Sequence, residues 1–256
     1  MLPMKYSAVR FLFSSGLAAV ALAAAHAAEP AIIAKARAHI ATEEVLNGLK
    51  SVHMVGTLTA PDPANPGQTI SMAMDIVFQR PMQQRIATSS AKGVDNTALD
   101  GYDAWRHFED RGDATKSRQV ILGADQVKRL RANTWENLAF FRGIENVGGR
   151  LEDQGPAKID GVACQKIAFI HAPNIVFVRY FDLATGRLVQ TETEAGGRIR
   201  EEGEMMVAGL RFPRVLITES KDAKGQWQKV SISFEKVTVN EEFAPGYFAV
   251  PGYGRK

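Results

Sequence analysis

Hydrophobic and polar residues alternate with a helical period at the start of the chain and with a strand period over most of the remainder. Pro30 to Leu49 carries apolar residues at helical spacing, which predicts an amphipathic N-terminal helix. The clearest strand is Thr69–Gln79, because one of its faces is wholly apolar. That face consists of Ile70, Met72, Met74, Ile76 and Phe78. This face is either part of an ordinary core or a surface that adapts to a ligand. The second interpretation arises because methionine is flexible and fills irregular space.

The second half of the chain reads as an antiparallel meander. Asp160-Gly161, Asp182 to Gly186 and Lys221 to Gly225 predict tight connections between strand-like runs. In the last strand, Trp227 to Val239, the apolar phase slips near Glu235-Lys236, which predicts a β-bulge. The charged stretch after Thr193 is expected to be a connection between strands.

A helical pattern interrupts the strands midway. It begins near Asp125, a plausible N-cap, and Asn133-Thr134 allows a break into two helices with Thr134 capping the second. The very apolar end, Leu138 to Phe141, is expected to pack on the sheet or to cover an opening. Val147 to Pro156 reads as a strand that passes into a loop.

These elements predict a mainly β fold of the α+β class, with about 11 short antiparallel strands and helices at the N-terminus and midway. A sheet of that size twists and curls strongly. The expected architecture is therefore an unclosed half-barrel, with a helix or two on its concave side and an apolar interior.

The first residues have the composition of a targeting segment. Lys5 and Arg10 precede the apolar run Phe11 to Ala25, and Ala25-His26-Ala27 fits a cleavage site. We expect residues 1–27 to be a cleaved signal peptide, with an uncleaved anchor helix as the alternative, and the protein to be periplasmic or extracellular. No linker-like stretch divides residues 28–256, which predicts a single domain.

Charge argues against nucleic acid as a partner. The formal net charge is +3, and removal of Lys5 and Arg10 with the signal peptide lowers it to +1. So small a positive net charge does not indicate a surface that binds nucleic acid. Cys164, the single cysteine, excludes an internal disulfide. We interpret it as a buried, inert strand residue, with a nucleophile as the less favoured alternative.

Catalytic and metal-binding patterns receive no support from the sequence. The histidines are scattered without metal-ligand spacing, and no G-x-S-x-G segment is present. Carboxylates cluster in runs such as Glu201-Glu202-Gly203-Glu204, which are typical of a solvated face. We therefore expect neither catalysis nor a cofactor.

Several short segments, taken in order, resemble the LolA/LolB-like periplasmic lipoprotein carriers, the outer-membrane lipoprotein-sorting proteins. The resemblance covers almost all of the chain after the signal peptide and depends on the order of the segments. They are Leu46 to Val52, Phe78-Gln79-Arg80-Pro81, Leu99-Asp100-Gly101 before Trp105, Ile159-Asp160-Gly161, Tyr180-Phe181-Asp182 with Thr185-Gly186, Phe212-Pro213, and Val239-Asn240 followed by Phe248 and Pro251.

The resemblance implies a helical lid over a hydrophobic cavity that holds the acyl chains of a lipoprotein or lipid. The partners it suggests are an inner-membrane releasing complex and an outer-membrane acceptor. We expect the protein to be a monomer, although the sequence carries no signal for its oligomeric state. Arg80 is similar to the carriers' gate residue, which hydrogen-bonds the lid in the closed state. The side chains expected to line the cavity are Met72, Met74, Phe78, Trp105, Phe140, Phe141 and Phe177.

A second function remains open at this point. The same fold can serve as a protein-interaction module of the envelope, without lipid cargo. That alternative predicts a filled core and an exposed apolar patch instead of a lidded cavity.

Overall fold

A computed structural model describes residues 29–62, 64, 65 and 67–252, which form three α-helices and one antiparallel sheet of thirteen strands. The predicted fold class, a mainly β chain with an unclosed antiparallel sheet and covering helices, is confirmed. The expected signal peptide lies outside the described residues, and the single-domain organisation stays a prediction.

The elements follow one another with short connections. The helices are α1 (Ala31–Ile40), α2 (Glu43–Gly48) and α3 (Ala124–Leu138). The strands before α3 are β1 (Ser51–Pro61), β2 (Thr69–Gln79), β3 (Gln83–Ser89), β4 (Gly93–Asp100), β5 (Asp103–Asp110) and β6 (Arg118–Ile121). The strands after it are β7 (Arg150–Ile159), β8 (Val162–Ala172), β9 (Ile175–Asp182), β10 (Leu188–Thr193), β11 (Arg198–Val207), β12 (Leu210–Lys221) and β13 (Trp227–Val239).

The sheet consists of two meanders joined at its middle. The strand order is β6-β5-β4-β3-β2-β1-β13-β12-β11-β10-β9-β8-β7, so the first and last strands of the chain pair with each other. The two edge strands, β6 and β7, are consecutive in the chain and are separated by α3. The polypeptide thus leaves one edge of the sheet and returns at the other, and α3 spans the gap that keeps the half-barrel open.

The helices differ from the sequence prediction in two ways. The segment Pro30 to Leu49 forms two helices, because Ala41 and Thr42 are extended and the Thr42 side chain accepts a hydrogen bond from the N–H of Val45. In contrast, α3 is continuous through Thr134, whose hydroxyl lies buried and donates to the Leu130 carbonyl inside the helix.

The strand count is also higher than predicted. The charged stretch Arg198–Val207, expected to be a connection, is β11 and pairs with β12 over most of its length. Many of its side chains are charged and exposed, and such a sequence is typical of a connection rather than of a strand.

The predicted slip in β13 is confirmed, since Val55 pairs with Lys236 and Gly56 with Phe234, which leaves Glu235 as the extra residue of a bulge.

The two faces of the sheet are covered by different parts of the chain. The concave face buries apolar residues of β1, β2, β12 and β13 beneath α2 and the end of α3, and of β8 and β9 beneath α1 and α3. On the convex face lies the part of the chain that follows β13, residues 240–252, which we call the C-terminal segment. In it Phe243 and Phe248 pack on one another. Trp105 holds this segment in place, because its indole N–H donates to the Phe248 carbonyl at 3.0 Å.

Cys164 is fully buried in β8, and its sulfur lies 3.5 Å from the Val162 carbonyl oxygen. Burial raises the pKa of the thiol, which keeps it protonated and unreactive. This supports the interpretation of Cys164 as an inert residue rather than a nucleophile.

Gly56 allows the two middle strands to approach at the bulge. A Cβ atom at this position would lie 2.1 Å from the backbone oxygen of Ser233, a contact that no side chain can relieve. At Gly48, near the end of α2, a Cβ atom would meet nothing within 4 Å.

We predict that Gly56→Ala lowers the free energy of unfolding by about 1–3 kcal/mol, the usual cost of overpacking, because β1 and β13 must separate locally. Gly48→Ala is the matched control and is expected to be neutral or stabilising by about 0.5–1 kcal/mol. Urea unfolding followed by circular dichroism measures both. Equal stabilities for the two variants would contradict the close approach.

Candidate functional site

A cavity of about 430 Å³ lies between the concave face of the sheet and the helices α1 and α3. This volume is within the range of sites that hold small molecules. The cavity has an apolar end, formed by the middle strands of the sheet, and a charged end, formed by β9, β10, β11 and the beginning of β12.

Alternate residues of the middle strands form the apolar end, as the period of a strand requires. They are Val52 and Met54 of β1, Met74, Ile76 and Phe78 of β2, Ile86 of β3, Phe212 and Leu216 of β12, and Ile232 and Phe234 of β13. These ten side chains are all apolar, so they suit a hydrocarbon chain, whereas α3 contributes Asn133 and Asn137 to the lining.

Of the residues that the sequence proposed for the lining, Met74, Phe78, Phe140, Phe141 and Phe177 do line the cavity. Their contact with a ligand stays a prediction.

Met72 and Trp105 do not line the cavity. Met72 lies on the same face of β2 as Met74, but further along the strand, opposite Leu58 and outside the cavity. Trp105 faces the other way. Its neighbour Ala104 packs against Val127 of α3 on the concave side, so Trp105 points to the convex side and packs against the C-terminal segment.

The last turn of α3 and the residues that follow it close the cavity, and we call Ala124–Phe141 the lid. Phe140 and Phe141 both have positive φ, at 48° and 71°, although neither is glycine. Such conformations cost about 1–3 kcal/mol each and persist only where the surroundings hold them. The end of the lid is therefore a strained segment that its contacts keep in place.

Arg37 of α1 supplies the strongest of these contacts. Its side chain is almost fully buried, and one guanidinium nitrogen donates to the carbonyl oxygens of Ala139 and Phe140 at 2.9 and 2.8 Å. The other two nitrogens donate to Glu43 at 2.7 and 2.6 Å, and these hydrogen bonds lower the pKa of the Glu43 carboxyl. The guanidinium of Arg37, held in position by Glu43, thus satisfies carbonyl groups at the C-terminal end of α3, where a positive charge is favourable.

Arg80, which directly follows β2, contacts the same helix end. Its guanidinium donates to the Leu138 carbonyl oxygen at 2.7 Å, as expected for an arginine that bonds a closed lid. Arg80 is more exposed than Arg37 and makes a single hydrogen bond to the lid. Burial, and secondly the nearby charge of Arg37, lowers the pKa of Arg80. Whether it acts as a gate stays a prediction.

Arg37 did not emerge from the sequence as a site residue. One signal was present: Arg37 stands between Ile33 and Ile40 on the apolar stripe of α1, where a charged residue is out of place. The carbonyl groups that it binds lie about 100 positions further along the chain, and the sequence alone does not bring them together.

A buried ionic cluster attaches the middle of the lid to the sheet. Glu136 of α3 forms an ion pair with Arg179 of β9 and lies 2.6 Å from Nε2 of His171 on β8. All three side chains are at most 8% exposed. The Arg179 guanidinium also stacks over the rings of Phe141 and Phe169, at 4.8 and 4.7 Å. Removing one partner would leave a buried charge uncompensated.

Two observations on the described part of the chain concern metal ions and membrane-spanning helices. No group of three or more histidine, cysteine, aspartate or glutamate side chains in it is arranged to hold a metal ion. Among its helices, none is long and apolar enough to cross a membrane.

Solved structures similar to this chain match it over most of its length. A LolA superfamily protein from Nitrosomonas europaea matches with a TM-score of 0.57 and 13% identity, covering 86% of this chain and 96% of its own. A protein from Vibrio parahaemolyticus, provisionally described as an outer membrane lipoprotein-sorting domain, gives 0.56 and 9%, covering 85% and 94%. A DUF1329 family protein from Desulfovibrio piger gives 0.55 and 8%, covering 85% and 95%.

No family model matches the sequence, and neither does any curated protein. At these low identities the structural similarities establish the fold alone, and the chain has a LolA-like fold.

The contacts of the lid predict unequal effects for the two arginines. Arg37→Leu is expected to speed amide hydrogen exchange in residues 135–147 by about tenfold or more, because charge-assisted hydrogen bonds contribute about 1.5–3 kcal/mol each. Arg80→Leu, which removes one bond from a more exposed group, is expected to have a smaller effect. Mass spectrometry of proteolytic fragments after exchange measures both.

Lys128→Leu is the control for this comparison, because Lys128 lies on the exposed face of α3 and pairs only with Asp125. It should leave the exchange of residues 135–147 unchanged. An Arg80→Leu effect equal to or larger than that of Arg37→Leu would contradict the dominant role of Arg37.

Proposed function

We propose that this protein is an envelope carrier or sensor that binds the acyl chains of a lipid or lipoprotein in its lidded half-barrel. The observation that carries the proposal is the apolar end of the cavity, which ten side chains of the middle strands line and the lid covers. An acyl chain placed there would exchange water for hydrocarbon along its whole length, which stabilises binding by about 0.8 kcal/mol per buried methylene.

The lid offers a route for entry and release. Its C-terminal end is held by hydrogen bonds from Arg37 and Arg80 to carbonyl groups, and water can replace such bonds when the lid moves. The strained conformations of Phe140 and Phe141 lower the cost of leaving the closed state. In this proposal Arg80 gates the cavity, and a releasing complex and an acceptor at the two membranes would act on the lid.

The alternative of a protein-interaction module finds less support. It requires a filled core and a contiguous apolar patch, whereas this core contains a cavity. The large hydrophobic side chains that are exposed in the described residues are scattered along the chain, and only Val120 and Ile121 share a strand: Tyr102, Val120, Ile121, Val147, Leu183, Met206 and Trp227. Single exposed residues of this kind are normal for soluble domains.

Filling the apolar end tests the proposal. Met74→Trp places a larger ring where the chain would lie, and excluding about two methylene groups is expected to weaken the binding of hexadecanol about tenfold. Met72→Trp is the matched control, because Met72 is on the same face of the same strand but outside the cavity. Displacement of the fluorescent probe 1-N-phenylnaphthylamine measures the affinities, and thermal melting monitors the fold.

Absence of binding of both the probe and hexadecanol to the wild-type protein would overturn the acyl-chain proposal and favour the interaction module. So would equal affinity of the wild type and a folded Met74→Trp variant. Reduced affinity in Met74→Trp with unchanged affinity in Met72→Trp would support it.

A further inference from the structure

The charged end of the cavity is not explained by the binding of hydrocarbon. It contains Arg179, Arg187, Glu201, Glu204 and Arg211, together with His39 of α1. Charged groups that border an apolar cavity lose hydration, and this loss is unfavourable unless each charge has a partner. The partners of these groups therefore show which charges are available to a ligand.

Two of the cations are paired within the protein. Arg211 forms an ion pair with Glu204, and its Nε donates to the backbone oxygen of His39 at 3.1 Å. Burial, followed by the charge of Arg211, lowers the pKa of His39, so its ring is neutral at physiological pH. Arg179 is paired with Glu136 of the lid. These groups compensate one another without a ligand.

Arg179 nevertheless has donor capacity left over. Its side chain is 8% exposed, and its Nε–H is buried without an acceptor among the described residues. A buried guanidinium donor that lacks an acceptor is unfavourable. Because Arg179 lines the cavity, an oxygen atom of a ligand at this end could accept from it.

Arg187 and Glu201 form no ion pair with any described residue, although both line the cavity. Desolvation raises the pKa of the Glu201 carboxyl, and the charges of Arg179 and Arg187 oppose that rise. The charges of Asp182 and Glu201 interact with that of Arg187, but no salt bridge to a described residue holds its guanidinium, so its donors are available at this end of the cavity.

We propose that the charged end binds an anionic headgroup, a phosphate or a carboxylate, of an amphiphile whose chain occupies the apolar end. Arg187 provides the charge and the principal donors, and Nε of Arg179 donates a further hydrogen bond. This inference rests on the proposed function and narrows its ligand class from hydrocarbon chains in general to anionic lipids.

The test compares ligands that share a sixteen-carbon chain and differ in headgroup. The ligands are hexadecanol, palmitate and hexadecyl phosphate, with inorganic phosphate as the arm that carries no chain. Their affinities for the wild type, Arg187→Gln and Arg187→Lys are measured by isothermal titration calorimetry below the ligands' micellar concentrations. Arg118→Gln is the matched control, because Arg118 lies in β6, exposed and away from the cavity.

The wild type is expected to bind palmitate and hexadecyl phosphate at least tenfold more tightly than hexadecanol, as one or two charge-assisted hydrogen bonds would provide. Arg187→Gln should lose most of this preference while its affinity for hexadecanol is unchanged. Arg187→Lys should retain part of the preference, and Arg118→Gln all of it.

Equal affinity of the wild type for the three chains would overturn the headgroup site but leave the acyl-chain proposal intact. An unchanged preference in Arg187→Gln would also overturn the site. Binding of inorganic phosphate without binding of any chain would show an anion site that serves no lipid, and would overturn both proposals. If Arg187→Gln does not fold, the headgroup preference of the wild type and Arg187→Lys decides the question.

Discussion

The closed cavity depends on the hydrogen bonds that Arg37 and Arg80 donate to the carbonyl groups at the end of α3. The last four carbonyl groups of any helix lack partners within the helix, and those of α3 lie where an open half-barrel needs a cover. Arg80 binds the carbonyl group of Leu138, the last residue of the helix, and Arg37 of α1 binds those of Ala139 and Phe140, which follow it. Without these contacts, the positive φ angles of Phe140 and Phe141 would be relieved and the lid would lose its position over the sheet.

The cluster of Glu136, Arg179 and His171 connects this lid to the contents of the cavity. Arg179 pairs with the lid through Glu136, stacks on Phe141 at the end of the lid, and borders the charged end where we place the headgroup. A ligand that accepts a hydrogen bond from Arg179 would therefore alter the ion pair between Arg179 and Glu136, which also holds the lid. Binding and lid position would then be coupled through one buried side chain rather than through the whole fold.

Local periodicity was sufficient for the strands that carry the apolar surface and for the bulge in β13. The alternation in Thr69–Gln79 predicted the face on which Met74 and Phe78 lie, but not how far the cavity extends over it, and Met72 lies outside. Trp105 could not be assigned because a strand pattern does not tell which face is concave. Arg37 and Arg179 were missed since their partners are distant in sequence, and β11 was missed because its run of charged residues is typical of a connection.

Native mass spectrometry of the mature protein, purified from its own envelope without detergent, tests the central claim most directly. We expect a species carrying one bound amphiphile, which fragments to release an acylated, anionic molecule. A protein of unmodified mass that also fails to take up added palmitate or lipopeptide would contradict the assignment of the cavity to acyl chains.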